Sequence, residues 1–196
     1  MTTDEQLLEL FEHSGALLTG HFLLSSGKHS DRYVEKFNLL RRPRDTEAVC
    51  RGFVEKFQDS GIDVVAGPTT GGILLAFEVA RQLGVEAAYA ERASDGSLQR
   101  EFRRGTTFAP GARVLLVDDI LTTGGSVRET VAALERENVE IVGIGVLVDR
   151  SAGKVSFDPY PLVPLLSLEI EAWDAADCPL CGAGVPLQKP GTTAVR

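Results

Sequence analysis

The chain has 196 residues, 43% apolar and 24% charged, with a net charge of −8; this is the composition of a soluble globular protein long enough to bury a full core. No apolar run approaches the length that crosses a bilayer, residues 142–148 being among the longest, so no membrane association is expected. The acidic balance argues against a general nucleic-acid binder, which needs basic surface to displace counterions.

Three cysteines, an odd number, do not make a disulfide framework and point to a reducing cytoplasm. The N-terminus, Met1-Thr-Thr-Asp-Glu-Gln, is acidic and lacks the basic and long apolar regions of a secretion signal. One domain is expected over 1–196.

Leu7, Leu8, Leu10 and Phe11 share a helical face over residues 4–12, closed by Ser14-Gly15, which predicts a short first helix. Residues 20–37 read as two short strands around the polar turn Ser-Ser-Gly-Lys-His, a hairpin. Pro43 opens a helix in which Val49, Phe53 and Phe57 recur every fourth position up to Ser60-Gly61. The pattern then repeats as strand, loop and helix: a strand over 62–66, the loop Gly67-Pro-Thr-Thr-Gly-Gly72, a helix over 73–83 and a strand over 85–90. Strands over 113–119 and 141–148 follow, and branched residues in 162–170 suffice for one more. Alternation of this kind predicts an α/β fold with a doubly wound, mainly parallel sheet, whose ligands sit at the carboxyl ends of the strands where strand order reverses. Between residues 92 and 111 the chain is polar, basic and glycine-punctuated, with Arg92, Arg100, Arg103 and Arg104 inside thirteen positions; it reads as a projecting hairpin or mobile loop, and loops of this length are often lids.

The centre of the chain is Arg113-Val-Leu-Leu-Val-Asp-Asp-Ile-Leu-Thr-Thr-Gly-Gly-Ser-Val127. A branched apolar run, suited to a strand buried on both faces, ends in Asp118 and Asp119. The small residues Thr122, Thr123, Gly124, Gly125 and Ser126 follow, and then Val127, Val131 and Leu134 form an amphipathic stripe. Such a turn lets successive backbone N–H groups point into one concavity at a helix N-terminus, a ready phosphate site. The two acids can accept hydrogen bonds from a vicinal diol or hold a divalent cation through water. Diol, phosphate and metal together point to a ribose 5-phosphate. Asp149-Arg150 and the loop 67–72 fall at further strand ends.

Residues 114–127 resemble the phosphoribosyl-pyrophosphate motif of the type I phosphoribosyltransferases, and residues 20–30, Ala66-Gly-Pro-Thr-Thr-Gly-Gly, Val148-Asp-Arg-Ser and Cys178-Pro-Leu-Cys are similar to orotate phosphoribosyltransferases. The resemblance implies transfer of a 5-phosphoribosyl group from phosphoribosyl pyrophosphate to orotate with Mg²⁺ present, giving orotidine 5′-monophosphate and pyrophosphate. It further implies that Asp118 and Asp119, as catalytic residues, meet the ribose hydroxyls, that the backbone of 122–126 takes the 5-phosphate, and that Ile120 and Leu121 also contact phosphoribosyl pyrophosphate. Thr70 and Gly71 face pyrophosphate, Thr122 and Arg150 hold orotate, and Arg92 takes part in catalysis. It implies a homodimer in which the loop 93–104 closes over the neighbouring site, and a small hood formed by 1–40 and about 160–196 over a core of about 41–159.

The chain departs from the family at four places: Gly71 stands where many members have a lysine, Ser25 where the hairpin of many has another, Glu91-Arg92 replaces an Arg-Lys pair, and residues 93–98 lack lysine and histidine. Arg100, Arg103 and Arg104 are candidates for the missing charge. Two other readings remain open: a phosphoribosyltransferase for a purine or another pyrimidine, and a regulator that senses phosphoribosyl pyrophosphate without turnover. Cys178 and Cys181 have the spacing of half a zinc site, but no Cys or His pair lies near them in sequence. A tight turn is therefore expected there, with no metal ligands assigned and a metal shared across subunits as the alternative. His21 and His29 are expected at surface or satisfied polar positions.

Overall fold

The computed structural model describes residues 4–24, 26–94, 97 and 99–190. Thus Met1 to Thr3, Ser25, Asp95, Gly96, Leu98 and 191–196, on which parts of the expected leader-free start, hairpin turn, lid and tail fall, lie outside the described residues. Helix α1 (Asp4–Ser14) buries Leu7 and Phe11, the face its periodicity marks. Strands β1 (Leu17–Leu23) and β2 (His29–Val34) form the antiparallel hairpin, followed by a short helix α2 (Phe37–Leu40) whose four residues are too few to show a period. Helix α3 (Pro43–Phe57) begins at its proline and buries Val49, Phe53 and Phe57. A 3₁₀ turn over Gln58–Ser60 follows and is closed by Gly61 at φ 59°.

The core alternates as read from the sequence: β3 (Val64–Pro68), α4 (Gly71–Leu83), β4 (Glu86–Arg92), β5 (Arg100–Phe102), β6 (Arg113–Leu121), α5 (Gly125–Leu134), β7 (Glu140–Asp149) and β8 (Leu162–Ser167). Six strands lie in the order β5-β4-β3-β6-β7-β8, parallel throughout except for β5, which returns antiparallel along β4. Strands β4 and β5 thus pair as an antiparallel edge of the sheet, and three-residue β5 is too short to show alternation in sequence. Because chain order runs outward in opposite directions from the β3/β6 pair, the topological switch point lies between these two strands.

Side chains of β6 alternate between two apolar layers. Leu115 and Val117 join Phe11, Phe53 and Leu75 on the α1/α3/α4 side, while Val114 and Leu116 join Val127 and Leu134 of α5 on the other. Burial on both faces is what makes the strand read as a continuous apolar run. The strand expected over 62–66 begins two residues later and runs on through Gly67 and Pro68, and α4 begins at Gly71. Backbone packing explains the shift: a Cβ at Gly67 would overlap the Gly72 backbone, and one at Gly72 would stand 2.7 Å from Pro68 Cδ. The turn is therefore cut to Thr69 and Thr70, joined by a cis peptide.

The C-terminal segment adds a 3₁₀ turn at Ala175–Asp177 and the short helix α6 (Pro179–Gly182). It returns to the hairpin: Leu23 N–H donates to Gln188 O, Gln188 N–H to His21 O, and His29 and Trp173 exchange backbone hydrogen bonds. Gly67→Ala is expected to lower the urea midpoint by the equivalent of about 2 kcal/mol or more, since the only relief for overpacking is backbone movement.

Candidate active site

At the carboxyl end of β6 the chain enters a cleft of about 330 Å³ lined by Arg92, Asp118, Ile120, Leu121 and residues 122–126, with Val127 and Glu129. Gly124 takes the left-handed conformation at φ 79° and caps α5 with no side-chain hydrogen bond. The first N–H groups of the helix thus stay open to an anion, and the helix dipole favours negative charge at the same point. One contiguous stretch therefore builds most of a phosphate cradle.

Asp118 and Asp119 are each 5% exposed. Asp119 N–H donates to Asp118 Oδ1 at 2.8 Å, and Ile120 N–H to Asp119 Oδ1 at 2.6 Å. Burial, then the neighbouring Asp119 charge, pushes the Asp118 carboxyl from its ordinary 3.8 up to about 7, against the opposing pull of the Asp119 N–H, Lys36 and Arg100. The Asp119 carboxylate turns away from the phosphate cleft: its Oδ2 lies 2.6 Å from Lys36 Nζ and fills the space that a Cβ at Gly71 would need.

A second cleft of about 600 Å³ adjoins the first and shares Ile120 and Thr122 with it. Its walls include Leu23, Leu24, Tyr33, Lys36, Arg150 and Lys189. Arg150 N–H donates to Leu121 O at 2.8 Å, so the ends of β6 and β7 hold it beside the acidic pair. Its guanidinium Nε, and Ser151 Oγ beside it, are buried with no hydrogen-bond partner among the described residues. Burial lowers the Arg150 pKa, though a guanidinium stays cationic in a protein. A buried donor left unsatisfied is costly, and an anionic or carbonyl ligand would satisfy it. A third cleft, of about 700 Å³, opens at the amino ends of β3 and β4, where the only ionisable lining groups are Asp63 and Glu86, a poor site for a phosphate.

The phosphoribosyl transferase domain family matches residues 38–174. The chain is 45% identical over 192 residues to the orotate phosphoribosyltransferase of Caldicellulosiruptor saccharolyticus, covering 98% of each chain. It is 43% identical over 195 residues to that of Acidithiobacillus ferrooxidans, again covering 98% of each. The chain belongs to the orotate phosphoribosyltransferase family. The crystal structure of the Aeropyrum pernix orotate phosphoribosyltransferase superposes with a TM-score of 0.71 at 26% identity, over 83% of this chain and 94% of that one. That of Mycobacterium tuberculosis H37Rv in complex with inorganic phosphate gives 0.69 at 26%, over 84% and 95%.

Within this family frame, the structure places the residues singled out in the sequence as follows. Arg92, Asp118, Ile120, Leu121, Thr122, Thr123, Gly124, Gly125 and Ser126 come together around the first cleft, and Thr122 and Arg150 around the second. Thr70 and Gly71 line neither, but Gly71 abuts Asp119. The lid arginines behave differently from the expectation. Arg100 is 4% exposed and bound inward to Glu129, Thr69 Oγ1 and Ala90 O, so it braces the Thr69-Thr70 turn. Arg103 pairs with Glu101 and Arg104 with Glu91. None of the three lines either cleft.

Two site residues went unread in the sequence. Lys36, on the link between β2 and α2, supplies the cation beside Asp119; a lone lysine after a strand carries no signal. Glu129, one α5 turn inside the cradle, draws Arg100 at 3.1 Å and Arg92 at 3.9 Å.

Between pH 3.8 and about 7 the folded chain holds an Asp118 proton that the unfolded chain has released, so stability of the free protein falls as pH rises through that window. Asp118→Asn removes this penalty and keeps an oxygen for the Asp119 N–H. The variant is expected to gain on the order of 2 kcal/mol in urea unfolding at pH 8 and almost nothing at pH 4. Destabilisation at both pH values would show that the buried pair is not strained.

Proposed function

We propose that the protein transfers the 5-phosphoribosyl group of phosphoribosyl pyrophosphate to orotate, a step of pyrimidine nucleotide synthesis, releasing orotidine 5′-monophosphate and pyrophosphate. The observation that carries this reading is the pair of adjoining clefts: a helix-capped phosphate cradle and, joined to it at Ile120 and Thr122, a space lined by Arg150, whose buried Nε has no partner among the described residues. The 5-phosphate occupies the backbone of 122–126, the ribose hydroxyls meet Asp118 and Asp119, and the orotate carboxylate pairs with Arg150, which suits planar anions. Pyrophosphate leaves toward the turn at Thr70 and Gly71, beside Arg92.

The base nitrogen attacks C1 as the bond to pyrophosphate breaks, with positive charge building on the ribose ring and negative charge on the leaving group. No side-chain nucleophile is needed, and the residues act by positioning and by fixed charge. The raised Asp118 pKa has a use here: the site is strained without a hydrogen-bond donor or cation, and a diol supplies the donors. Asp118, the carboxylate of the pair that lines the phosphate cleft, would hold Mg²⁺ directly or through water, and the ion would neutralise charge on the pyrophosphate.

We further infer a homodimer in which the hairpin containing 93–104 covers the neighbouring site and excludes water. Within 1–40 and about 160–196, the β1–β2 hairpin and the segment after β8 serve as a hood over the core, to whose sheet β8 itself belongs. Support for the dimer comes from α4, where Leu74 and Phe77 are exposed, Phe77 at 64%, a costly surface for a lone chain. No helix among the described residues is long and apolar enough to cross a membrane, and we place the enzyme in the cytoplasm, acting on small molecules and not on nucleic acid.

Purified protein with phosphoribosyl pyrophosphate, Mg²⁺ and each base in turn should consume orotate and release pyrophosphate. Turnover of hypoxanthine or uracil alone would overturn the assignment, and binding without turnover on any base would identify a sensor. Asp119→Asn is expected to lose most turnover with the fold intact. Arg150→Gln should raise KM for orotate about tenfold or more, as the loss of a charged hydrogen bond implies, and leave KM for phosphoribosyl pyrophosphate nearly unchanged. Phe77→Glu is expected to sediment as a monomer with much reduced turnover; an active monomer would exclude a shared lid.

A further inference from the structure

Cys178 and Cys181, read from the sequence as a tight turn with no partner pair, have one in the folded chain. The antiparallel hairpin carries His21 on β1 and His29 on β2, and both rings face the C-terminal segment. His21 Nε2 and His29 Nδ1 are 3.0 Å apart. Cys178 Sγ lies 3.4 Å from His21 Nε2, and Cys181 Sγ lies 3.7 Å from His21 Nε2 and 3.3 Å from His29 Nδ1. All four donor atoms fall within 4.8 Å of one another. His21, His29 and Cys178 are buried, whereas Cys181 is exposed. The two histidines are thus not at the surface; they are buried with polar partners, the second of the two positions expected from the sequence.

We propose that His21, His29, Cys178 and Cys181 bind one zinc ion, which fastens the C-terminal segment to the N-terminal hairpin. The donor set is that of a closed structural site, two thiolates and two imidazoles. With Zn–N of about 2.0–2.1 Å and Zn–S of about 2.3 Å, tetrahedral donors stand roughly 3.3–3.8 Å apart. Three of the four sulfur–nitrogen distances lie in that range, the fourth is no more than 4.8 Å, and the nitrogen pair need part by only a few tenths of an ångström. An outer contact orients one ligand: His21 Nδ1 lies 2.8 Å from Val185 O, so it carries the proton and leaves the Nε2 lone pair facing the cluster, as metal-bound histidines commonly require. A hydrogen bond between the two rings would explain their own contact, but not two sulfurs converging on the same point. Both cysteines are free thiols, and binding would release their protons.

The ion would stand behind the wall of the second cleft. Leu23 and Leu24 follow His21 on the hairpin, and Lys189 follows the cysteines on the tail; all three line that cleft. Zinc would therefore hold together two segments more than 150 residues apart in sequence, reinforcing the Leu23–Gln188, Gln188–His21 and His29–Trp173 backbone hydrogen bonds.

The test is metal analysis of the untagged full-length protein, purified without chelator from zinc-replete cells. About one zinc per chain is expected. Stripped protein reloaded with Co²⁺ should show the visible ligand-field bands of a tetrahedral ion and a thiolate charge-transfer band. Chelation should lower Tm, and Cys181→Ser, at an exposed position, should lose about a hundredfold in zinc affinity, one ligand's share of a structural site. Substoichiometric metal with no cobalt spectrum from the wild-type protein would overturn the proposal. So would a Cys178–Cys181 disulfide in place of titratable thiols.

Discussion

Two adjacent carboxylates are buried at the end of a central strand, and the arrangement of the site follows from accommodating them. In a dry environment Asp118 resists ionisation, and the second charge beside it deepens the penalty. The chain answers with the backbone N–H groups of Asp119 and Ile120, which the carboxylates accept, and with Lys36, which pairs with Asp119. Full neutralisation is left to what binds. A site held above its best unliganded free energy in this way is a common consequence of preorganised electrostatics.

The neighbouring elements make sense as responses to that pair. Gly71 leaves room for the Asp119 carboxylate, so the family's frequent lysine has no space there unless Asp119 turns. Lys36 brings positive charge to the same Asp119 oxygen. Gly67 and Gly72 press the β3–α4 turn onto itself and hold Gly71 against the neighbouring strand end. Arg100, a candidate for the missing basic charge, instead braces this turn from within through Thr69. Arg92 is left as the arginine of that segment that lines the cleft.

A different constraint governs the base side. The second cleft is walled by the hairpin and the tail as much as by the sheet; the hairpin is a separate two-stranded sheet, anchored to the core by Leu17 and Val34. Hairpin and tail are tied to each other by a few backbone hydrogen bonds and by the histidine–cysteine cluster. The shape of the second cleft thus depends on a tie between distant parts of the chain, while the first cleft is built mainly by one strand–turn–helix unit.

Much of this was legible in the chain alone. The apolar run of 113–117, the acids after it and the small-residue turn into an amphipathic stripe are local patterns, and local patterns dictated β6, the cradle and α5. The alternation of strands and helices likewise determined the sheet class, because periods of 2 and 3.6 residues are written into consecutive side chains. Tertiary structure alone decided what depends on distant approach. It set the strand order that puts the switch point between β3 and β6, the pairing of Lys36 with Asp119, and the inward turn of Arg100. It also brought His21 and His29 to Cys178 and Cys181, a contact across some 150 residues that no local spacing records, since pairing at that range is set by how the sheet and tail pack and not by neighbours along the chain.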